Sequence, residues 1–213
     1  MKNITIVDYG MGNIRSLYNS LKFLGYNPIF YSENNEIDAN ICILPGVGAF
    51  NQAMKLIKEK KILDKLENFV KNENNYLLGI CLGMQFLMDS SEEFGETDGL
   101  GLIEGKVIPI PSKSIDGDSL IVPHIGWSAL EISGDNNIWD NSILTNTPVK
   151  SHVYFVHSFY SKPSNKKHLL AHCTYGGNKL SAVICRDNVM GCQFHPEKSG
   201  AIGLDILRAF LNL

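Results

Sequence analysis

Five cysteines are too few and too irregularly spaced to hold this chain together by crosslinks. Cys42, Cys81, Cys173, Cys185 and Cys192 form an odd set with no C-x-x-C pair, which argues against a disulfide framework and against zinc-type spacing. No apolar run approaches the ~20 residues of a membrane span. The apolar start, Ile4-Thr5-Ile6-Val7, is too short for a secretory signal, so a cytoplasmic protein is expected. A formal net charge of −3 with no basic tract gives no grip on nucleic acid. His124, His152, His157, His168 and His172 show no metal-ligand repeat and read as structural. No cofactor or metal is implied, and there is neither an internal repeat nor a low-complexity linker.

What is present is an ordinary globular composition, 44% apolar and 19% charged over 213 residues. A chain of that size buries roughly 70% of its unfolded surface and folds without staples. A single domain over residues 1–213 is expected.

The first half alternates strand and helix patterns. Met1 to Val7 reads as a strand, and Asp8-Tyr9-Gly10-Met11-Gly12-Asn13 as a turn-rich loop. Ile14, Leu17, Leu21 and Leu24 follow at helical spacing behind Asn13, a candidate N-cap. Ile29 to Tyr31 and Ile41 to Leu44 read as strands, Phe50 to Ile57 and Leu63 to Val70 as helices, and Tyr76 to Ile80 as a buried strand. This alternation predicts an α/β fold: a mainly parallel sheet with helices on both faces. The second half is strand-rich, with candidates at 102–110, 127–132, 152–160, 169–175, 180–185 and 189–194, a polar loop at 111–120, and a closing helix from Ala201 to Leu211. It is expected to extend the same sheet in antiparallel fashion. In parallel sheets sites form at the carboxyl ends of the strands, so the loops after Val7 and Leu44 and the residue Cys81 should meet there.

Cys81 sits between the strand and a helical pattern over Leu82 to Met88, in the order Gly79-Ile80-Cys81-Leu82-Gly83. A cysteine ending an apolar strand is ordinarily an inert buried residue. Flanking glycines at a strand-to-helix junction instead give the layout of a nucleophile elbow, where the turn is tight and the helix start favours a thiolate. His195-Pro196-Glu197 supplies the rest. Residues i and i+2 of an extended segment face one side, so Glu197 should orient His195, which acts as base and acid. The backbone N–H of Leu82 is the first oxyanion donor, and Pro45-Gly46-Val47-Gly48 is the candidate source of the second, at Val47 or Gly48. Glycine there makes peptide rotation cheap, so the hole need not be preformed. These residues alone leave open a partner-independent hydrolase and a redox sensor built on Cys81.

Gly79-Ile80-Cys81-Leu82-Gly83-Met84-Gln85 with Gln193-Phe194-His195-Pro196-Glu197 resembles the class I (triad) glutamine amidotransferases. Further segments narrow the resemblance to the glutaminase subunits of imidazole glycerol phosphate synthase. These are Asp8 to Asn13, Pro45 to Phe50, Gly99 to Gly105, Val122-Pro123-His124-Ile125-Gly126-Trp127 and Tyr154-Phe155-Val156-His157-Ser158. The resemblance implies a flavodoxin-like amidotransferase fold. It also implies hydrolysis of L-glutamine through a Cys81 thioester, and passage of ammonia to a (β/α)₈-barrel cyclase subunit in a heterodimer for histidine biosynthesis. By position, Gly46, Gln85 and Glu93 would bind glutamine with the backbone of Ser158 and Phe159, while Asn13, Trp127, Tyr154 and Lys198 would face the partner. Ser128 stands where this family usually has Asn, and Phe159 where Tyr is common. Paralogues that feed ammonia to surface-sugar amidation would share the same chemistry.

Overall fold

A computed structural model describes residues 3–31, 37, 39–135 and 138–213. Met1 and Lys2, the start of the expected first strand, lie outside the described residues. β1 (Asn3–Val7) leads to α1 (Ile14–Phe23), which buries Leu17 and Leu21, one turn apart. The helix stops at Gly25, whose φ of +86° lets Gly25 and Tyr26 donate back to the carbonyls of Lys22 and Leu21. Asn13 does precede the helix, but its side chain accepts from the Ser16 hydroxyl (3.3 Å) rather than from a backbone N–H. β2 (Asn27–Tyr31), β3 (Ile41–Gly46), α2 (Phe50–Glu59), α3 (Ile62–Val70) and β4 (Tyr76–Cys81) continue the alternation.

Beyond Cys81 the helix is shorter than the sequence predicts. α4 (Leu82–Phe86) gives way to a turn, where Met88 donates to the Gln85 carbonyl. Two short strands, β5 (Ser90–Ser91) and β6 (Thr97–Asp98), and β7 (Gly105–Pro109) follow. The stretch predicted as one strand at 127–132 begins earlier and divides at Leu130 into β8 (His124–Ala129) and β9 (Glu131–Ile132). That predicted at 152–160 breaks at Ser158 into β10 (His152–His157), paired with β8, and β11 (Phe159–Pro163), paired with β7. β12 (Leu169–Tyr175), β13 (Asn178–Arg186), β14 (Val189–Cys192) and α5 (Gly200–Leu211) complete the chain.

The main sheet runs β2-β1-β3-β4-β14-β13-β12-β9. Its first five strands are parallel, and β13, β12 and β9 extend it antiparallel. Alternate residues of β3 divide between two cores. Ile41 and Ile43 pack with α1 and α5, through Leu17, Leu21, Ile206 and Phe210. Cys42 and Leu44 pack with α2 and α3, through Phe50, Met54 and Leu66. Helices therefore cover both faces of the parallel part, as the alternation implied. Among the described residues no helix is long and apolar enough to cross a membrane. All five cysteines are unpaired; Cys42 and Cys192 are wholly buried, and burial pushes both thiols far above their usual range.

Candidate active site

β4 lies between β3 and β14, in register so that Gly46 faces Cys81 and Cys192 faces Ile80. Although β14 arrives from an antiparallel hairpin, it runs parallel to β4, so its carboxyl end opens on the same edge as Cys81. Residue 195 thus reaches residue 81 across 114 positions of sequence through strand pairing alone.

Cys81 has φ +56° and ψ −111°, a conformation costly for any residue with a side chain and typical of a nucleophile held on a sharp strand-to-helix turn. The flanking glycines serve another purpose than the sequence suggested: neither has a positive φ. A Cβ on Gly83 would fall on the Leu44 carbonyl, and one on Gly79 would strike the Gly83 backbone. They supply room for the turn to cross β3.

His195 Nδ1 lies 2.8 Å from Glu197 Oε1, with both side chains 4% exposed. The contact is as expected, but its geometric reason differs. Only His195 is extended, and Pro196–Lys198 form a 3₁₀ turn that curls the carboxylate back. The His195 N–H donates to the Tyr154 carbonyl, and the Ser199 hydroxyl donates to the His195 carbonyl while accepting from the Tyr154 N–H. Burial opposes a charge on His195, but hydrogen bonding to, and the negative charge of, Cys81 and Glu197 outweigh it and push its pKa up to about 10. Cys81 and His195 line the same cavity, which sets the imidazole where it can exchange a proton at the reacting sulfur.

A cavity of about 410 Å³ opens in front of Cys81. Val47, Gly48, Leu82, Gln85, Glu93, Ser158, Phe159 and His195 from the sequence reading all line it, and so does Lys198. Gly46 does not: it borders a small space with Asn13 and Glu197, and a Cβ there would meet Leu82, Tyr9 and Gly83. Gly48 has φ +95°, and behind this loop the buried Tyr9 hydroxyl has no hydrogen-bond partner among the described residues, its ionisation opposed by burial and the Cys81 charge. Gln85 Nε2 donates to the Phe159 carbonyl (2.9 Å) and to Gln193 Oε1 (3.1 Å), leaving its own oxygen as the free acceptor. Glu93 Oε2 accepts from the Phe50 N–H (2.7 Å) at the start of α2. Trp127 is 55% exposed and meets the Tyr154 ring edge-on, 6.0 Å between centroids.

Sequence reasoning missed three contributors. Gln193 is fully buried and brings Nε2 to 3.8 Å from Cys81 Sγ; its place two residues before His195 was the available signal. His157 lines the cavity, although its sequence gave only a structural reading. Tyr9 sits beneath Gly46. Among the described residues, no group of three or more His, Cys, Asp or Glu could hold a metal ion.

The Glutamine amidotransferase class-I family matches residues 5–212. "Imidazole glycerol phosphate synthase subunit HisH 1" of Legionella pneumophila (strain Lens) is 43% identical over 214 residues, covering 100% of both chains. The HisH subunit of Methanosarcina barkeri is 45% identical over 215 residues, again covering 100% of each. Among solved structures, that of PurLQS from Thermotoga maritima superposes with a TM-score of 0.75 at 19% identity, over 99% of this chain and 98% of that one, a likeness of fold. A family match over nearly every residue, and relatives this similar from end to end, place the chain in the class I glutamine amidotransferases, within the HisH subunits of imidazole glycerol phosphate synthase.

Proposed function

We propose that this chain, as a single cytoplasmic glutaminase domain over residues 1–213, hydrolyses L-glutamine and passes the ammonia to a (β/α)₈ cyclase subunit that makes imidazole glycerol phosphate for histidine. The observation that carries the reading is the strained Cys81 on the wall of an open cavity, with the His195–Glu197 pair just beyond the carboxyl end of the neighbouring parallel strand.

The sulfur attacks the side-chain amide carbon of glutamine, and the electron pair moves onto the carbonyl oxygen. Leu82 N–H stabilises that oxyanion. The Val47 N–H is the second donor, and Gly48, at φ +95°, gives its peptide the freedom to turn toward the oxygen. His195 gives its proton to the departing nitrogen, which leaves as ammonia when the tetrahedral species collapses to the Cys81 thioester. A water then attacks the thioester as His195 takes its proton, and glutamate and the free thiol are restored. Glu197 holds the imidazole tautomer and offsets its charge throughout. At the amino-acid end, Glu93 and the Gln85 oxygen accept from the ammonium, and the Ser158–Phe159 backbone meets the carboxylate. Lone ammonia is mostly protonated near pH 7 and then not nucleophilic, which is the chemical reason for a docked acceptor enzyme.

The test is glutamate release by the chain alone and with the histidine-pathway cyclase and its nucleotide ligand. Stimulation by that cyclase is expected. Cys81→Ala should abolish glutamine-dependent synthesis, a fall of at least about 10³-fold, while ammonia-dependent synthesis by the cyclase survives. Turnover indifferent to the cyclase would redirect the acceptor assignment, and equal loss of both syntheses would refute a purely chemical role for Cys81.

A further inference from the structure

Two buried histidines form a chain of hydrogen bonds that ends on the substrate cavity. His124 and His157 face each other across the β8–β10 pair. Their exposures are 2% and 6%. His124 Nδ1 lies 3.1 Å from His157 Nε2, His124 Nε2 lies 2.9 Å from the Ser128 hydroxyl, and His157 Nδ1 lies 2.9 Å from the Phe159 carbonyl. The rings of Phe155 and Tyr175 stack on His124, with centroids 5.2 and 4.3 Å away. Gly126 takes φ +144° between His124 and Ser128, and the hydroxyl closes back on the ring across it.

One end of this chain dictates every proton in it. A carbonyl only accepts, so His157 must carry its proton on Nδ1, and its Nε2 is an acceptor. His124 must then donate from Nδ1 and accept at Nε2, where the Ser128 hydroxyl donates to it. Burial, above all, holds His157 neutral, down at about 3, which keeps the direction fixed at ordinary pH.

The destination is the peptide where the chain leaves β10 for β11. Phe159 stands opposite Pro109 at a non-hydrogen-bonded position of the β11–β7 pair, where the neighbouring bond runs from the Ile110 N–H to the Ser158 carbonyl, so the Phe159 carbonyl points away from β7. Its carbonyl is held instead by two side chains, His157 and Gln85, the second also 2.9 Å away. Anchoring that oxygen fixes the Phe159–Tyr160 peptide and, with the Ile110 N–H that holds the Ser158 carbonyl (2.9 Å), sets both ends of Phe159, which lines the cavity beside Ser158.

We propose that Ser128, His124 and His157 are positioning residues for glutamine: their directed chain fixes the Ser158–Phe159 backbone against which the substrate's carboxylate end is held. The inference rests on the reading of the cavity as a glutamine site. It assigns these groups no part in the bond-making steps, so their removal changes binding far more than turnover.

The test measures glutaminase kinetics of the full chain in the presence of the cyclase, together with ¹⁵N spectra of the histidine rings in the chain itself. His157→Phe should raise KM for glutamine about tenfold with kcat within about threefold. Because that ring is buried, a milder pair guards against misfolding: Ser128→Ala should raise KM about threefold, and Ser128→Asn, which keeps a donor, should restore it. The spectra should show His157 and His124 both protonated at Nδ1 and bare at Nε2, and Ser128→Ala should shift the His124 Nε2 resonance as its donor is lost while both tautomers stay fixed. An unchanged KM in His157→Phe and Ser128→Ala, a fall confined to kcat, or an Nε2-protonated His157 overturns the proposal. If the native protein failed to hydrolyse glutamine, the glutaminase reading would fall, and the ring tautomers would still decide whether the directed chain exists.

Discussion

At Cys81 the backbone itself is part of the site. A left-handed φ on a residue with a side chain costs on the order of 1–3 kcal/mol, and the surrounding turn must be held firmly enough to impose it. The firmness comes from close packing: α4 crosses β3 with no room for a methyl group at Gly83, where one would land on the Leu44 carbonyl. Gly83→Ala should therefore destabilise the protein by about 3 kcal/mol, because neither backbone can yield without breaking the strand register. Thermal melts would read this as a fall of roughly 6–12 °C. A melting point unchanged by the substitution would mean that the elbow is loose and that its strain has another cause. The G-x-C-x-G pattern announced a tight turn but not how it is made. Glycine serves equally for a positive φ and for close approach, and only the packing of β3 against α4 separates the two.

Among the elements, the boundaries that matter most are those the sequence concealed. From His152 to Tyr160 the apolar alternation runs without a turn signal, yet Ser158 is where the chain exchanges β8 for β7 as partner. Pairing partners lie outside any local pattern, so neither this break nor the role of His157 was legible. The parallel half was legible because each strand there is followed by a helix with its own 3.6-residue period. The start of α2 is a second case of long-range dependence: its Phe50 N–H is capped by Glu93, 43 residues further on. On the proposed reading Glu93 serves both this cap and the substrate's ammonium, and two substitutions separate the roles. Glu93→Ala should cost about 1 kcal/mol of stability through the lost cap. Glu93→Gln keeps an accepting oxygen and should hold stability within about 0.5 kcal/mol. Both should raise the glutamine KM about tenfold, since each removes the charge facing the ammonium. Denaturant titrations and KM measured on the same preparations check this, and a normal KM in Glu93→Gln would confine Glu93 to the cap.

Across the whole molecule, the active edge is continuous with exposed apolar surface on the β8–β10 pair. Cross-strand neighbours on one face of β8 and β10 run Val156–Ile125 and Tyr154–Trp127, so an apolar strip leads from the cavity wall outward. Ile125 is 59% and Trp127 55% exposed, and the nearby chain adds Ile121 at 80%. Such a strip at the mouth of a site that releases ammonia is suited to a partner that receives it, since a lid there both seals the exit and buries the apolar groups. Trp127 is the natural anchor: it is large, and it rests on Tyr154, whose carbonyl holds the His195 backbone. Trp127→Ala should weaken cyclase binding by about 2 kcal/mol or more, roughly thirtyfold in Kd. The free chain should melt within about 2 °C of the native protein, because the ring is mostly in water before docking. Titration calorimetry against the cyclase, alongside thermal melts of the lone chain, separates the two effects. Unchanged affinity would move the docking surface off the β8–β10 face, whereas a large loss of intrinsic stability would mean that Trp127 serves the fold by bracing Tyr154 and, through it, the triad.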